Sequence, residues 1–207
     1  MTEPNKIIPE EIAKIYEPLS DELIWVHAKW QMYREVFGRN EETIDLLNKS
    51  AGAFFGIYQE VLLHDVMLGI CRILDPEKTG PKDNLTLERL INSIDQDKYG
   101  KLRLELENDL KTAIDCAAFA REHRNRKLAH NDLETIKETG AAPLPGVSRA
   151  AVENIFRRIR DMMNKISSHF LDTTVLYENF IFGPGDADAL IRLLNDAEEF
   201  RRNRKLF

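Results

Sequence analysis

Apolar residues recur at intervals of three and four along most of the chain, and this spacing is the strongest constraint on its fold. The clearest run alternates spacings of four and three and contains Leu106, Leu110, Ala113, Ala117 and Ala120. Such a run places one apolar stripe along a helix, which packs against a neighbouring helix. No useful length of sequence alternates apolar and polar residues as a half-buried strand does. The pattern predicts an all-α fold, a helical bundle built on two long antiparallel helices with flanking helices.

Capping and breaking residues divide this pattern into individual helices. Pro18 is expected to end a short first helix, and Ser20 to cap the second. Asn40 is expected to cap a helix that continues to Asp75. Because about 35 residues is long for a globular helix, a break near residues 50–52 is expected.

The second half of the chain shows similar signals. Residues 95–100 are interpreted as a turn, and residues 131–147 as a long loop before a helix capped by Ser148. A final helix follows the Gly-Pro-Gly-Asp run at residues 183–186. We predict an N-terminal helical extension over residues 1–39, a bundle over residues 40–178 and a C-terminal helix over residues 179–207.

Composition limits the classes of function. The net charge of −6 and the isoelectric point near 5.5 disfavour a broad phosphate-binding surface, although a small basic pocket remains compatible with them. Cys71 and Cys116 lie in helical patterns without metal-ligand spacing, which favours small buried residues in a reducing compartment. The acidic, proline-broken N-terminal stretch does not resemble a signal peptide, and no apolar run reaches about 20 residues. We therefore expect a cytoplasmic protein with no membrane partner.

Basic side chains and imidazoles concentrate in one segment, residues 121–132, which reads REHRNRKLAHND. Its first ten residues carry a formal charge of +3, enough to hold one or two phosphates on an acidic body. Arg124 offers a fixed-charge fork suited to phosphate, and His130 a group that exchanges protons near neutrality. Asn125 is suited to orienting a hydroxyl or the imidazole. Together these groups suit metal-free phosphodiester cleavage by a 2′-hydroxyl, with Arg124 stabilising the charged phosphorane.

The position of Arg124 leaves two interpretations open. Arg124 continues the apolar stripe, where a buried residue is expected. In the first interpretation its side chain extends outward to solvent or pairs with a core carboxylate. In the second, the stripe opens at this point into a cleft or a subunit interface. Arg124 and His130 lie ~120° apart round an ideal helix, whereas His123, Arg126, Lys127 and His130 share one broad face. The arginine and the imidazole meet only if the helix distorts, if a side chain reaches round its end, or if two subunits face each other. We favour a homodimer with a shared cleft.

The run R124-N-R-K-L-A-H130 resembles the Arg-polar-x4–6-His signature of the HEPN superfamily. Together with the segments around F54-F55, R72-I-L-D75-P and N84-L-T-L, it resembles the AbiU-type abortive-infection branch of that superfamily over roughly residues 40–175. The resemblance implies an all-α domain and a metal-independent endoribonuclease without cofactor. The family's arginine, polar residue and histidine fall on Arg124, Asn125 and His130. In that family two such motifs, one from each subunit, face each other across a dimer interface. Arg121, Arg126 and Lys127 are the expected phosphate contacts.

Two classes of function remain open. The first is an RNA-cleaving toxin or anti-phage defence effector, whose expected partner is an antitoxin or a nucleotidyltransferase. The second is a non-catalytic module that binds a nucleotide, RNA or a protein through the same cleft. A metal-dependent hydrolase is disfavoured, since the sequence contains neither HExxH nor a paired i,i+4 His/carboxylate cluster in an apolar setting, and no metal ligand is assigned.

Overall fold

A computed structural model describes residues 7–125 and 148–204. Over these ranges the all-α prediction is confirmed, with one two-stranded hairpin in addition. The elements in chain order are α1 (Glu10–Phe37), α2 (Glu41–Leu74), β1 (Lys78–Thr79), β2 (Lys82–Asp83), α3 (Leu87–Asn92), α4 (Gln96–Cys116), α5 (Ala118–His123), α6 (Arg149–Leu171) and α7 (Ala187–Arg204). The strands are antiparallel, with Lys78 opposite Asp83 and Thr79 opposite Lys82.

The chain divides into two compact units that are not continuous in sequence. One comprises Met1–Trp25 and Met67–Tyr177, and the other comprises Val26–Val66 and Glu178–Phe207. Helices α1 and α2 contribute to both units, because the boundaries fall inside them. The division into segments 1–39, 40–178 and 179–207 stays a prediction.

The first unit is organised by the packing of α4 against α6. Tyr99 near the start of α4 contacts Phe170 near the end of α6, with ring centroids 4.9 Å apart. At the opposite end, the Asn154 amide lies 3.6 Å from the Cys116 sulfur. These contacts make the two helices antiparallel. All five residues of the predicted stripe, from Leu106 to Ala120, are buried, as the pattern predicts.

The buried face of α6 explains why this helix forms. Its apolar residues recur at helical spacing and are almost fully excluded from solvent, while the intervening positions are polar or charged. Ser148 caps the helix by accepting a hydrogen bond from the Ala151 amide, as the sequence predicts. Asp172 ends it in a left-handed conformation, with φ 56°.

Two local predictions are wrong. Helix α1 runs through Pro18 without ending, and Ser20 does not cap a helix; its hydroxyl instead lies 3.0 Å from the buried Tyr177 hydroxyl. Tertiary burial along α1 therefore outweighs the local proline signal. The supposed turn at residues 95–100 is the beginning of α4, where the Asp95 carboxylate accepts hydrogen bonds from the amides of Asp97 and Lys98.

The second unit has its own small core. It consists of buried residues from the end of α1, the first half of α2 and the start of α7, namely Val36, Leu46, Leu47, Phe55, Ala187 and Ile191. Asn40 caps α2 by accepting a hydrogen bond from the Thr43 amide. Ala51 has non-helical dihedrals, so the predicted break in this long helix is confirmed.

Helix α2 also has the length and composition of a membrane-spanning helix, the one such helix within residues 7–125 and 148–204. Part of its apolar surface is exposed, as at Phe54, Ile57 and Val61. This is weak evidence, because core helices of soluble proteins satisfy the same criteria. The cytoplasmic location and the absence of a membrane partner stay predictions.

Candidate phosphate-binding site

The site begins where the long helix of residues 96–125 loses its regular form. Helix α4 ends at Cys116, and Ala117, with φ −88° and ψ 6°, separates it from α5. The Ala117 amide reaches back to the carbonyls of Ala113 and Ile114. Arg124 and Asn125 then adopt a π-helical turn. Such irregular turns are frequent at functional sites, and here the distortion coincides with the Arg-Asn pair of the motif.

The guanidinium of Arg124 is fixed by two neighbours. Its Nη1 donates to both carboxylate oxygens of Asp75, at 2.8 and 2.7 Å. Its Nε donates to the Asn125 side-chain oxygen at 3.1 Å. The ion pair is three-quarters buried, with each side chain 25% exposed. Arg124 therefore pairs with a carboxylate from the end of α2, which is one of the two interpretations its sequence position left open.

Arg121 supports the same corner of the fold. Its Nη2 donates to the Leu74 carbonyl at 2.7 Å, at the last residue of α2. A cation here compensates the negative end of the helix dipole. Arg121 and Arg124 thus tie α5 to the end of α2, although their sequence positions are almost fifty residues away from it.

These two arginines also line one hollow. Its volume is about 310 Å³, and its wall includes Asp75, Glu88, Arg121 and Arg124. Two guanidinium groups in a hollow of this size can hold a phosphate, although two carboxylates share the wall. The Nη2 of Arg124 has no hydrogen-bond partner among the residues that the structure describes, which leaves two N–H donors for a ligand.

The electrostatic character of this corner is set by the ion pair. The hydrogen bond that Arg124 donates to Asp75 raises the pKa of Arg124 above its ordinary value, so the guanidinium keeps its charge at every physiological pH. Burial raises the pKa of the neighbouring Cys71 thiol to about 11. Arg124 and Arg121 only partly oppose that shift. Cys71 is fully buried, so it is a neutral packing residue beneath the site.

Several predicted site residues lie outside the described ranges. Arg126, Lys127 and His130 fall between residues 125 and 148, as does the predicted loop. Arg121, Arg124 and Asn125 lie together at the end of α5, with Asn125 exposed. His123, which the helical wheel groups with His130, is buried with 8% of its surface exposed.

Asp75 is the residue that sequence reasoning missed. It stands in the Arg-Ile-Leu-Asp-Pro run, but nothing in the spacing of 49 residues links it to Arg124. The available signal was an arginine on an apolar stripe, which calls for a carboxylate partner without saying where in the chain that partner lies.

Comparison with known families identifies the chain. A family model described as AbiU2, HEPN_AbiU2, matches residues 9–200. The chain belongs to this HEPN family. The match confirms the resemblance and extends it beyond residues 40–175 at both ends. No curated protein matches the AbiU2 chain, and no solved structure matches it.

Within residues 7–125 and 148–204, no three His, Cys, Asp or Glu side chains converge as a metal site would require. The described part of the site consists of the partly buried ion pair between Arg124 and Asp75, Arg121 bonded to a backbone carbonyl, and the exposed amide of Asn125. Arginine side chains of this kind are suited to binding an anion.

Proposed function

We propose that this AbiU2 domain is a metal-independent endoribonuclease of HEPN type, acting as a toxin or anti-phage effector on RNA in the cytoplasm. The observation that carries the proposal is the oriented guanidinium of Arg124. Asp75 and Asn125 accept hydrogen bonds from its Nη1 and Nε, and its Nη2, which has no partner among the described residues, is proposed to donate to a phosphate oxygen. A guanidinium held in advance stabilises developing charge without the cost of reorganisation.

The proposed reaction transfers the phosphodiester within the RNA strand. His130 removes the proton of a ribose 2′-hydroxyl, the 2′-oxygen bonds to the adjacent phosphorus, and the bond from phosphorus to the 5′-oxygen breaks. The leaving oxygen takes a proton from an imidazolium, and the products are a 2′,3′-cyclic phosphate and a 5′-hydroxyl. Arg124 contacts the non-bridging oxygens. Arg121, Arg126 and Lys127 are proposed to contact flanking phosphates.

The proposal assigns Asp75 to positioning. It does not touch the RNA; it fixes the rotamer of Arg124 through two hydrogen bonds to one nitrogen. The same contact neutralises part of the arginine's charge, so phosphate has to compete with a carboxylate. We propose that a homodimer supplies two such motifs to one cleft, as the HEPN resemblance implies, and that an antitoxin or a nucleotidyltransferase regulates it.

A second candidate function follows from the same ion pair. A guanidinium already held by Asp75 also suits a module that binds a nucleotide, an RNA or a protein without turnover. This alternative predicts ligand binding that weakens in Arg124→Ala, with no cleavage at any protein concentration.

Cleavage assays in EDTA separate the two functions. The proposal expects several RNAs, including tRNA, to be cut by the wild-type chain and to remain intact with His130→Ala. His169→Ala is the matched control, since His169 is an exposed histidine on α6, outside the site. Asp75→Asn is expected to lower kcat about tenfold or more, because a misplaced charge loses transition-state stabilisation. Cleavage patterns that are identical for the wild type and His130→Ala would exclude the nuclease.

A further inference from the structure

A larger cavity lies on the other side of Asp75 from the phosphate-binding hollow. It has a volume of about 690 Å³, within the range of small-molecule sites. We call it the Trp25 pocket. It is lined by one face of α1, the end of α2 and the hairpin. Its lining residues include Asp21, Trp25, Arg72, Asp75, Asp83 and Asn84. Asp75 lines both cavities, so the two sites share this residue.

The α1 wall presents a flat aromatic surface. Pro18, Asp21, Glu22 and Trp25 recur at spacings of three or four, so they share one helix face. Trp25 is 58% exposed, unusual for so large an apolar side chain, whereas Trp30 on the same helix is buried at 3%. An exposed indole on a cavity wall is a platform on which a nucleobase can stack.

Next to the indole lies a second planar group. The Arg72 guanidinium donates to Glu22 at 2.6 Å, and Glu22 precedes Trp25 by three residues on the same face. Arginine planes stack on bases as aromatic rings do. The ion pair therefore holds a second stacking surface within about one helical turn of the indole.

The hairpin wall is held rigid by an arginine behind it. Arg89 donates to the carbonyls of Asn84 and Glu77, at 2.7 and 2.9 Å, and to the Asp83 carboxylate at 2.6 Å. The Asn84 amide nitrogen donates to the Pro76 carbonyl and to the Thr79 hydroxyl. The two side-chain N–H donors of Asn84 are thus committed to the fold, while the carboxylate oxygens of the lining are hydrogen-bond acceptors.

Charge keeps phosphate groups out of the pocket itself, so only the base of a nucleotide is expected to enter it. Four of its lining residues are carboxylates, against one arginine. Glu22, Asp75 and Asp83 are already paired with arginines. Among the described residues, Asp21 is the lining carboxylate that has no ion-pair partner. The pocket thus suits a neutral, flat group that carries N–H donors on its edge.

We propose that the Trp25 pocket binds a guanine base of the RNA, stacked on Trp25 with its N1–H and N2 amine donating to Asp21. Guanine alone among the four bases presents two adjacent donors that match the two oxygens of one carboxylate. The assignment of RNA as the source of the base rests on the proposed function. The binding of a free guanine nucleotide does not, because the pocket is complete without Arg124 and His130.

The test uses the full-length chain and its two tryptophans. Guanosine monophosphate is expected to quench the emission of exposed Trp25 with saturation, while the emission of buried Trp30 remains. By calorimetry, guanosine monophosphate is expected to bind about tenfold more tightly than the adenosine, cytidine and uridine monophosphates. Trp25→Ala is expected to abolish this binding, and Phe54→Ala, which removes an equally exposed aromatic residue outside the pocket, to leave it unchanged.

Asp21→Asn tests the recognition of the base edge. The variant is expected to keep binding nucleotides through stacking but to lose the tenfold preference for guanine. Equal quenching by all four nucleotides, unchanged affinity in Trp25→Ala, or binding of Mg²⁺ without nucleotide would each overturn the proposal. Cleavage that depends on His130 with no guanine binding refutes this pocket alone, whereas guanine binding without cleavage refutes the nuclease alone.

Discussion

The ion pair between Asp75 and Arg124 gives the most direct test of how this site is built. Two hydrogen bonds of 2.7 and 2.8 Å join side chains that are each 25% exposed. Two unit charges about 4 Å apart attract by roughly 4 kcal/mol at an effective dielectric constant of 20. Desolvation of the two charges offsets part of this attraction. In burial the pair is intermediate between exposed ion pairs, which contribute about 0.2–1 kcal/mol, and fully buried ones, whose disruption costs about 3–5 kcal/mol. We therefore expect a coupling energy of about 2 kcal/mol.

A double-mutant cycle measures this coupling. Asp75→Asn and Arg124→Gln are each expected to lower the free energy of unfolding by about 2 kcal/mol, because each leaves one half-buried charge without its partner. The double variant is expected to cost much less than the sum of the two. By differential scanning calorimetry, each single variant should lower Tm by roughly 4–8 °C in a chain of this size.

The control cycle uses another arginine–carboxylate pair of the same unit. Glu22 and Arg72 are joined at 2.6 Å, but their side chains are 34% and 53% exposed. Because solvent screens this pair, Glu22→Gln and Arg72→Gln are expected to couple by less than about 1 kcal/mol. A coupling between Asp75 and Arg124 no larger than in this control would refute the argument that burial strengthens the contact.

Three further predictions concern the scaffold. Between pH 9 and 10 the free energy of unfolding should fall by about 1 kcal/mol more in the wild type than in Cys71→Ala. The reason is that the unfolded thiol loses its proton near pH 9, whereas the folded thiol keeps it up to about 11; urea titrations at several pH values measure this. In the native protein a maleimide should modify half-exposed Cys116 and not Cys71, as mass spectrometry would reveal; modification of both at equal rates would contradict the burial. Ser148→Ala should lower the free energy of unfolding by about 1 kcal/mol because the α6 cap is lost. Phe156→Ala should lower it by about 3–5 kcal/mol because a cavity opens in the core. Urea midpoints measure both, and a larger loss in Ser148→Ala than in Phe156→Ala would contradict the expected ranking.

The sequence predicted the elements that depend on local chemistry. The caps at Asn40 and Ser148 form as expected, because a side-chain oxygen needs only an amide three residues ahead. The break near residue 51 also follows locally, from the length of the apolar pattern. The apolar stripe of α4 is buried throughout, since helical spacing alone decides which residues share a face.

Pro18 and residues 95–100 show where local signals fail. The proline lies inside a continuous α1 whose residues Tyr16, Leu19 and Leu23 are buried, and this burial compensates a lost backbone hydrogen bond. Asp95 was interpreted as part of a turn although it caps α4. An aspartate before a helix and an aspartate in a turn use the same side-chain acceptor, so the residue type does not distinguish them.

By itself the sequence determined the helical class, the position of the Arg-Asn motif and the family of this chain, because periodicity and short motifs are properties of neighbouring residues. Only the tertiary structure decided that Asp75 holds Arg124, that Arg121 binds the end of α2, and that Trp25 faces a cavity beside them. These contacts join residues far apart in the chain, and their partners are selected by the packing of helices.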